Sequence, residues 1–155
     1  MNIFALSIHP PEAARWHVDK HVVKMPIETA QILCTVRHIY GERDLPYKPT
    51  HMNHPCCNWA AESAENYVWL CILGIELCTE YTHRYSKVHK CEAILNECLQ
   101  QIPKRIANKG RTKFVQAMPN RCKMNNPVLG YRNYYLQEKS HLAIWSNREV
   151  PYWWS

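Results

Sequence analysis

The chain has 155 residues, 46% of them hydrophobic and 21% charged, and a formal net charge of +6. That balance excludes a disordered chain, and the length suits one domain around one hydrophobic core. No run approaches the roughly 18 apolar residues of a membrane span, and no basic-then-apolar leader opens the sequence.

Residues 1–9, MNIFALSIH, read as a short strand or a buried arm. Asn2 is large enough to block removal of the initiator methionine. Pro10-Pro11-Glu12 opens a helix, with proline and then an acid in the first turn. The pattern continues to about residue 40, and Pro26 is expected to kink or divide it, since proline removes one backbone bond. Within this region His17, His21, Lys24 and Glu28 fall at i, i+4, i+7 and i+11, one stripe of one helix. Val22, Val23, Ile32, Leu33 and Val36 supply surfaces to bury. A solvated charge ladder would give the same spacing. Two imidazoles, an amine and an acid on one face, beside the rest of the chain, point instead to an active-site helix.

Residues 41–55 form a loop punctuated by Pro46, Pro49 and Pro55. It carries His51, Asn53 and His54. The H-x-x-H spacing invites zinc, but no third ligand lies nearby, so these side chains are expected to reach a substrate and no metal is assigned. From about Cys56 to Tyr85 runs the longest helical pattern, apolar almost all round between Tyr67 and Leu77 and taken as the central helix. Glu62, Glu65, Glu76 and Glu80 are assigned to its wet side. A further helix is expected from Ser86 or Lys87 to about Gln101, an irregular basic loop over 103–126, and a last helix from Pro127 to about Trp145. The fold expected is all-α, a single compact domain of four to five helices spanning 1–155.

The eight cysteines include two seven-residue spacings inside helical patterns, and none forms C-x-x-C. They read as small core hydrophobes in a reducing, intracellular compartment. From Lys104 to Arg148 there are ten Lys/Arg against one acid, more positive charge than the whole chain carries net. Seven of the fifteen Tyr and Trp residues lie between Tyr131 and Trp154. Cations interleaved with aromatics suit a surface that clamps phosphates and stacks on bases, so the partner expected is double-stranded DNA. The contact residues assigned are Lys109, Arg111, Lys113, Arg121, Lys123, Tyr131, Arg132, Tyr135 and Lys139, with His17, His51, Asn53 and His54.

Asp19-x-His21 with Glu28 seven residues on, the apolar central helix, and Tyr131-Arg132-x-Tyr134-Tyr135 together resemble the pyrimidine-dimer-specific DNA glycosylases of large bacteriophages. The wider group shares the Asn53-His54-Pro55 loop. The resemblance covers most of the chain in order and spacing, and it implies a helical repair enzyme that kinks duplex DNA and cuts a glycosidic bond. In that family an essential glutamate matches Glu28 and a histidine matches His21. Two departures stand out: Ile27 replaces an arginine, and Asn2 replaces the small second residue that exposes the family's nucleophilic amine. The amine is then expected from Met1 itself, from Lys20 or from Lys24, or no Schiff base forms.

The function expected is cleavage of the N-glycosidic bond of a damaged or modified pyrimidine, with a possible lyase step at the abasic site. It is expected to need no cofactor and no membrane, and to proceed on a monomer, in the host cytoplasm if the chain is viral. The alternatives are a viral transferase that places an amine or amino acid on hypermodified thymine, and a non-catalytic DNA-binding module.

Overall fold

The computed structural model describes residues 1–155. It contains six α-helices and no strand: α1 (Pro10–Trp16), α2 (Asp19–Ile39), α3 (Pro55–Glu62), α4 (Ala64–Tyr85), α5 (Glu92–Gln100) and α6 (Pro127–Glu138). Short 3-10 turns cover Asn120–Cys122 and Ser140–Leu142. One continuous cluster of 34 buried apolar residues draws on every helix, so the expected single all-α domain is what forms. No helix is long and apolar enough to cross a membrane.

Helix α4 is the hub and packs on α1, α2, α3 and α5. Gly74 shows how closely: a Cβ there would lie 2.7 Å from Leu95 on α5 and 2.9 Å from Thr29 on α2. A mid-helix glycine sacrifices about 1 kcal/mol of propensity relative to alanine, and here it admits two neighbouring helices.

Two long helical patterns are each divided. The first breaks at His17-Val18, whose backbone is extended. The second breaks at Ser63, extended and fully buried, with its hydroxyl accepting from the Asn66 amide at 3.0 Å. Pro26 does not divide α2, which runs through it. Helix α5 starts later than its periodicity suggests, because the α4 C-cap Ser86 is left-handed (φ 54°). Helix α6 ends at Glu138, seven residues short of the expected end.

The break at His17 is held by Arg84. Its guanidinium donates to the Glu80 carboxylate (3.0 Å), to Asp19 (2.9 Å) and to the carbonyls of His17 (2.8 Å) and Arg15 (2.9 Å). Glu80 is only 2% exposed and lies in the core instead of on the expected wet face; Arg148 closes on it at 2.7 and 3.0 Å. Burial pushes the Glu80 carboxyl up, and the hydrogen bonds from Arg148 and Arg84 outweigh it and hold it below its usual range. Asp19 behaves alike: burial is outweighed by hydrogen bonds from Ser146 and Arg84. All eight cysteines are buried and unpaired.

Candidate active site

The first seven residues form an arm laid into the domain, with residues Asn2 to Ser7 buried. Its conformation is set by Asn2, whose Oδ1 accepts from the amides of Ile3 (2.8 Å) and Phe4 (3.3 Å) and whose Nδ2 donates to Ala117 (2.8 Å). This local turn leaves Phe4 at φ 36°, a region bulky residues seldom occupy. The Phe4 ring then stacks on His21 (4.4 Å between centroids) and, on another side, on Tyr134 (5.9 Å).

The arm ends at the carboxylate the sequence singled out. The α-amine of Met1 lies 3.8 Å from Glu28 Oε1, and Lys24 Nζ lies 3.4 Å from the same oxygen. The Met1 side chain is 6% exposed, Glu28 15% and Lys24 69%; Met1 as a whole is only partly buried, its remaining exposure on the backbone end, so two amines share one carboxylate at the edge of the core. Met1 Sδ sits 3.8 Å from Cys57 on the first turn of α3. That packing brings in the N-cap of α3, His54, whose Nδ1 accepts from the Cys56 amide at 3.0 Å. Burial, the Met1 amine and His51 all hold His54 below its ordinary value, while Glu28 opposes them.

The loop leading to His54 is anchored on α2: Thr35 Oγ1 donates to the Thr50 carbonyl (3.3 Å) and accepts from its amide (3.1 Å). His51 (φ 48°) and Asn53 are exposed at its tip. Segment 112–118, without regular secondary structure, runs past the arm. It is held at Thr112 by Asn66 (2.9 Å), at Val115 by the Tyr131 hydroxyl (2.7 Å), and at Ala117 by Asn2.

Several expected site residues are placed elsewhere. His17 lies in the break before α2, not on its polar stripe, and is fully buried with Nδ1 bonded to Ala13 (2.7 Å). Burial lowers it to about 4, so it is neutral and cannot meet phosphate. His21 is 6% exposed and shares a 2.6 Å hydrogen bond between Nδ1 and the Tyr135 hydroxyl. Burial, then the charges of His17, Lys139 and Lys24, lower it to about 3, which removes it as a proton carrier near neutral pH and makes it a wall behind Phe4. Tyr131 and Tyr135 are fully buried, which rules out the base stacking expected of them. The face of α6 bearing both tyrosines turns into the core.

The expected basic surface is partly spent on internal contacts. Arg132 donates to the Leu6 carbonyl (3.0 Å) and lies over the rings of Trp16 (4.9 Å), Trp153 (5.5 Å) and Tyr152 (5.7 Å), so it ties down the arm and the C-terminal segment. Lys109 pairs with Glu62 at 3.5 Å, Arg121 pairs with Glu138, and Arg111 covers Phe114 at 4.2 Å. Lys139 lies 5.1 Å over the Tyr134 ring, on the His21 side of the site. Lys20, Lys113 and Lys123 are exposed. No group of three or more His, Cys, Asp or Glu side chains converges as metal ligands would.

What remains together is Met1, Lys24, Glu28, His54 and, through its charge on His54, His51; Asn53 stays at the exposed loop tip with no contact to them. Sequence reasoning missed Phe4 and Tyr134 as lining residues, and missed that Asn2 shapes the arm; an Asx-type turn after Met1 was the available signal. Comparison with protein-family models, curated proteins and solved structures finds no match for this chain. The fold and site therefore define a class by geometry alone: an all-helical domain with an α-amine and a carboxylate at one centre.

Proposed function

We propose that this protein breaks the N-glycosidic bond of a damaged or modified pyrimidine in double-stranded DNA, with the Met1 α-amine as nucleophile. The observation that carries the reading is the 3.8 Å approach of that amine to Glu28. Free chain termini normally fray, and this one is packed beside an acid, with its side chain against Cys57. Cleavage sends the electron pair of the C1′–N bond out with the base and leaves positive charge on the sugar. Glu28 is the group that stabilises it. The amine, having released a proton to solvent, adds to C1′. Opening of the C1′–O4′ bond and loss of a second proton then give an imine, from which a 3′ phosphate can be eliminated.

Lys24 stands 3.4 Å from the same carboxylate and is the competing amine. Lys20, exposed on the first turn of α2, makes no such pair. The test is borohydride trapping on duplex oligonucleotides carrying an abasic site or a thymine photodimer, followed by peptide mapping. A covalent adduct on the Met1 peptide is expected. An adduct on Lys24 would reassign the nucleophile, and no adduct on either DNA would overturn the reading.

A further inference from the structure

We propose that His54 works as a neutral hydrogen-bond donor whose Nε2–H holds the carbonyl oxygen of the pyrimidine as it leaves. The inference rests on the glycosidic reading above and gives that reaction the one part it lacks, a group for the departing base.

The tautomer is fixed by the fold. A backbone amide can only donate, so the 3.0 Å contact from Cys56 commits the Nδ1 lone pair and leaves the proton on Nε2. Protonating Nδ1 would break the cap at a helix start, where the helix dipole also disfavours a cation. The charged groups that act on the ring are the Met1 amine from the arm, Glu28 from α2 and His51 from its own loop; Lys24 pairs with Glu28, and the buried thiols of Cys56 and Cys57 follow on α3. Burial and the cations there outweigh Glu28, so the ring stays uncharged near neutral pH. An imidazole held neutral at a helix start is a donor suited to polarising a carbonyl.

Position agrees with that role. Cys57 packs its thiol 3.8 Å from the Met1 thioether, and the charges of the Met1 amine and Glu28 both act on the His54 ring, so the turn that His54 caps lies beside that pair. A sugar approached by the Met1 amine from beside Glu28 presents its base away from that pair, and the imidazole offers an uncharged donor there. Histidine is also a poor choice as a pure cap, since Ser, Thr, Asp and Asn serve better. In the step itself the C1′–N bond breaks, its electron pair delocalises to the base oxygen, and Nε2–H donates without giving up its proton. The base takes its proton from water.

The discriminating variant is His54→Asn, which keeps a good cap and removes the ring; His54→Ala removes both. Each is compared with wild type on duplexes carrying a thymine photodimer, a 5-hydroxymethyluracil or a preformed abasic site, with thermal melts alongside. His54→Asn is expected to melt like wild type, to trap on abasic DNA at the wild-type rate, and to lose about 10²- to 10³-fold in base release, as for loss of one oxyanion donor. A base with a more stable anion, 5-fluorouracil, should shrink that deficit. Full base release by His54→Asn would overturn the inference, and so would an equal loss on abasic DNA. Wild-type protein that traps on abasic DNA but releases none of the bases overturns it too. Wild-type protein that traps on no DNA at all overturns the glycosidic reading, and the inference falls with it.

Discussion

Glu28→Gln separates the chemistry of the site from its architecture. Glutamine keeps the size and hydrogen-bonding capacity of the side chain and suits a helix as well as glutamate does. What disappears is one negative charge 3.8 Å from the Met1 amine and 3.4 Å from Lys24. At about 4 Å and an effective dielectric near 20, two unit charges interact by about 4 kcal/mol. A cationic sugar held at a similar distance therefore loses about 10³-fold in rate, inside the range of about 10²–10⁴ for acid–base and electrostatic groups. The stability cost is small by comparison. The Lys24 partner is 69% exposed, and such i,i+4 pairs contribute about 0.3–0.5 kcal/mol. Single-turnover base release and a thermal melt on the same preparation are the assays. Expected is a protein that melts within a few degrees of wild type, binds DNA at least as well, and turns over about a thousandfold more slowly. A destabilised variant with full activity per folded molecule would refute the reasoning and return Glu28 to a structural role.

Other consequences follow from the buried charges and the basic surface. His17 and His21 have folded values of about 4 and about 3, below the unfolded 6.5, so the stability they carry is present above pH 6.5 and is lost as pH falls. By pH 5 each has removed about 2 kcal/mol; melts at pH 7 and 5 should show the loss, and His21→Gln should abolish about half of it. Arg84→Met leaves Glu80 and Asp19 without their shared partner and should cost about 3–5 kcal/mol in urea unfolding; a loss under about 1 kcal/mol would contradict the clamp. Lys113→Glu with Lys123→Glu should weaken duplex binding and lower its salt slope by about 0.9 per lost phosphate contact, whereas an unchanged slope would move the interface off this segment.

How far the sequence could be read depends on whether each feature is local. The i, i+7 relation of His21 and Glu28 lies within one helix, and α2 does carry both. The central place of α4 was visible in its apolar circumference. Glu80 was misread because its partners Arg84 and Arg148 bury it, and Arg148 is 68 positions away, beyond the reach of any periodicity. The break at Ser63 was written locally as a capping serine three residues before Asn66, yet the apolar pattern runs straight through it. Composition suggests a DNA surface at Tyr131 and Tyr135, yet it says how many aromatics a helix has and not which side it turns inward. Their hydroxyls satisfy the Val115 carbonyl and His21, partners that exist only after α6 has docked.

The arm explains why so much of the molecule converges on Met1. A left-handed bulky residue costs about 1–3 kcal/mol and persists only where its surroundings over-determine it. Phe4 is over-determined three times: by Asn2 on its amide, by Leu6 donating to its carbonyl at 2.8 Å, and by the rings of His21 and Tyr134 against its own. Asn2 in turn is fastened to Ala117, and Leu6 to Arg132, so the arm is gripped by the basic segment and by α6 as well as by α2. A hydrophobic anchor needs none of this, since Ile3 and Leu6 would bury equally well on an unstrained strand. Fixing the turn at Phe4 fixes instead the direction in which Met1 is presented, toward Glu28 and the first turn of α3. The buried Tyr131, Tyr135, His17 and His21 thus act on the site through geometry: they hold the wall against which the arm is bent.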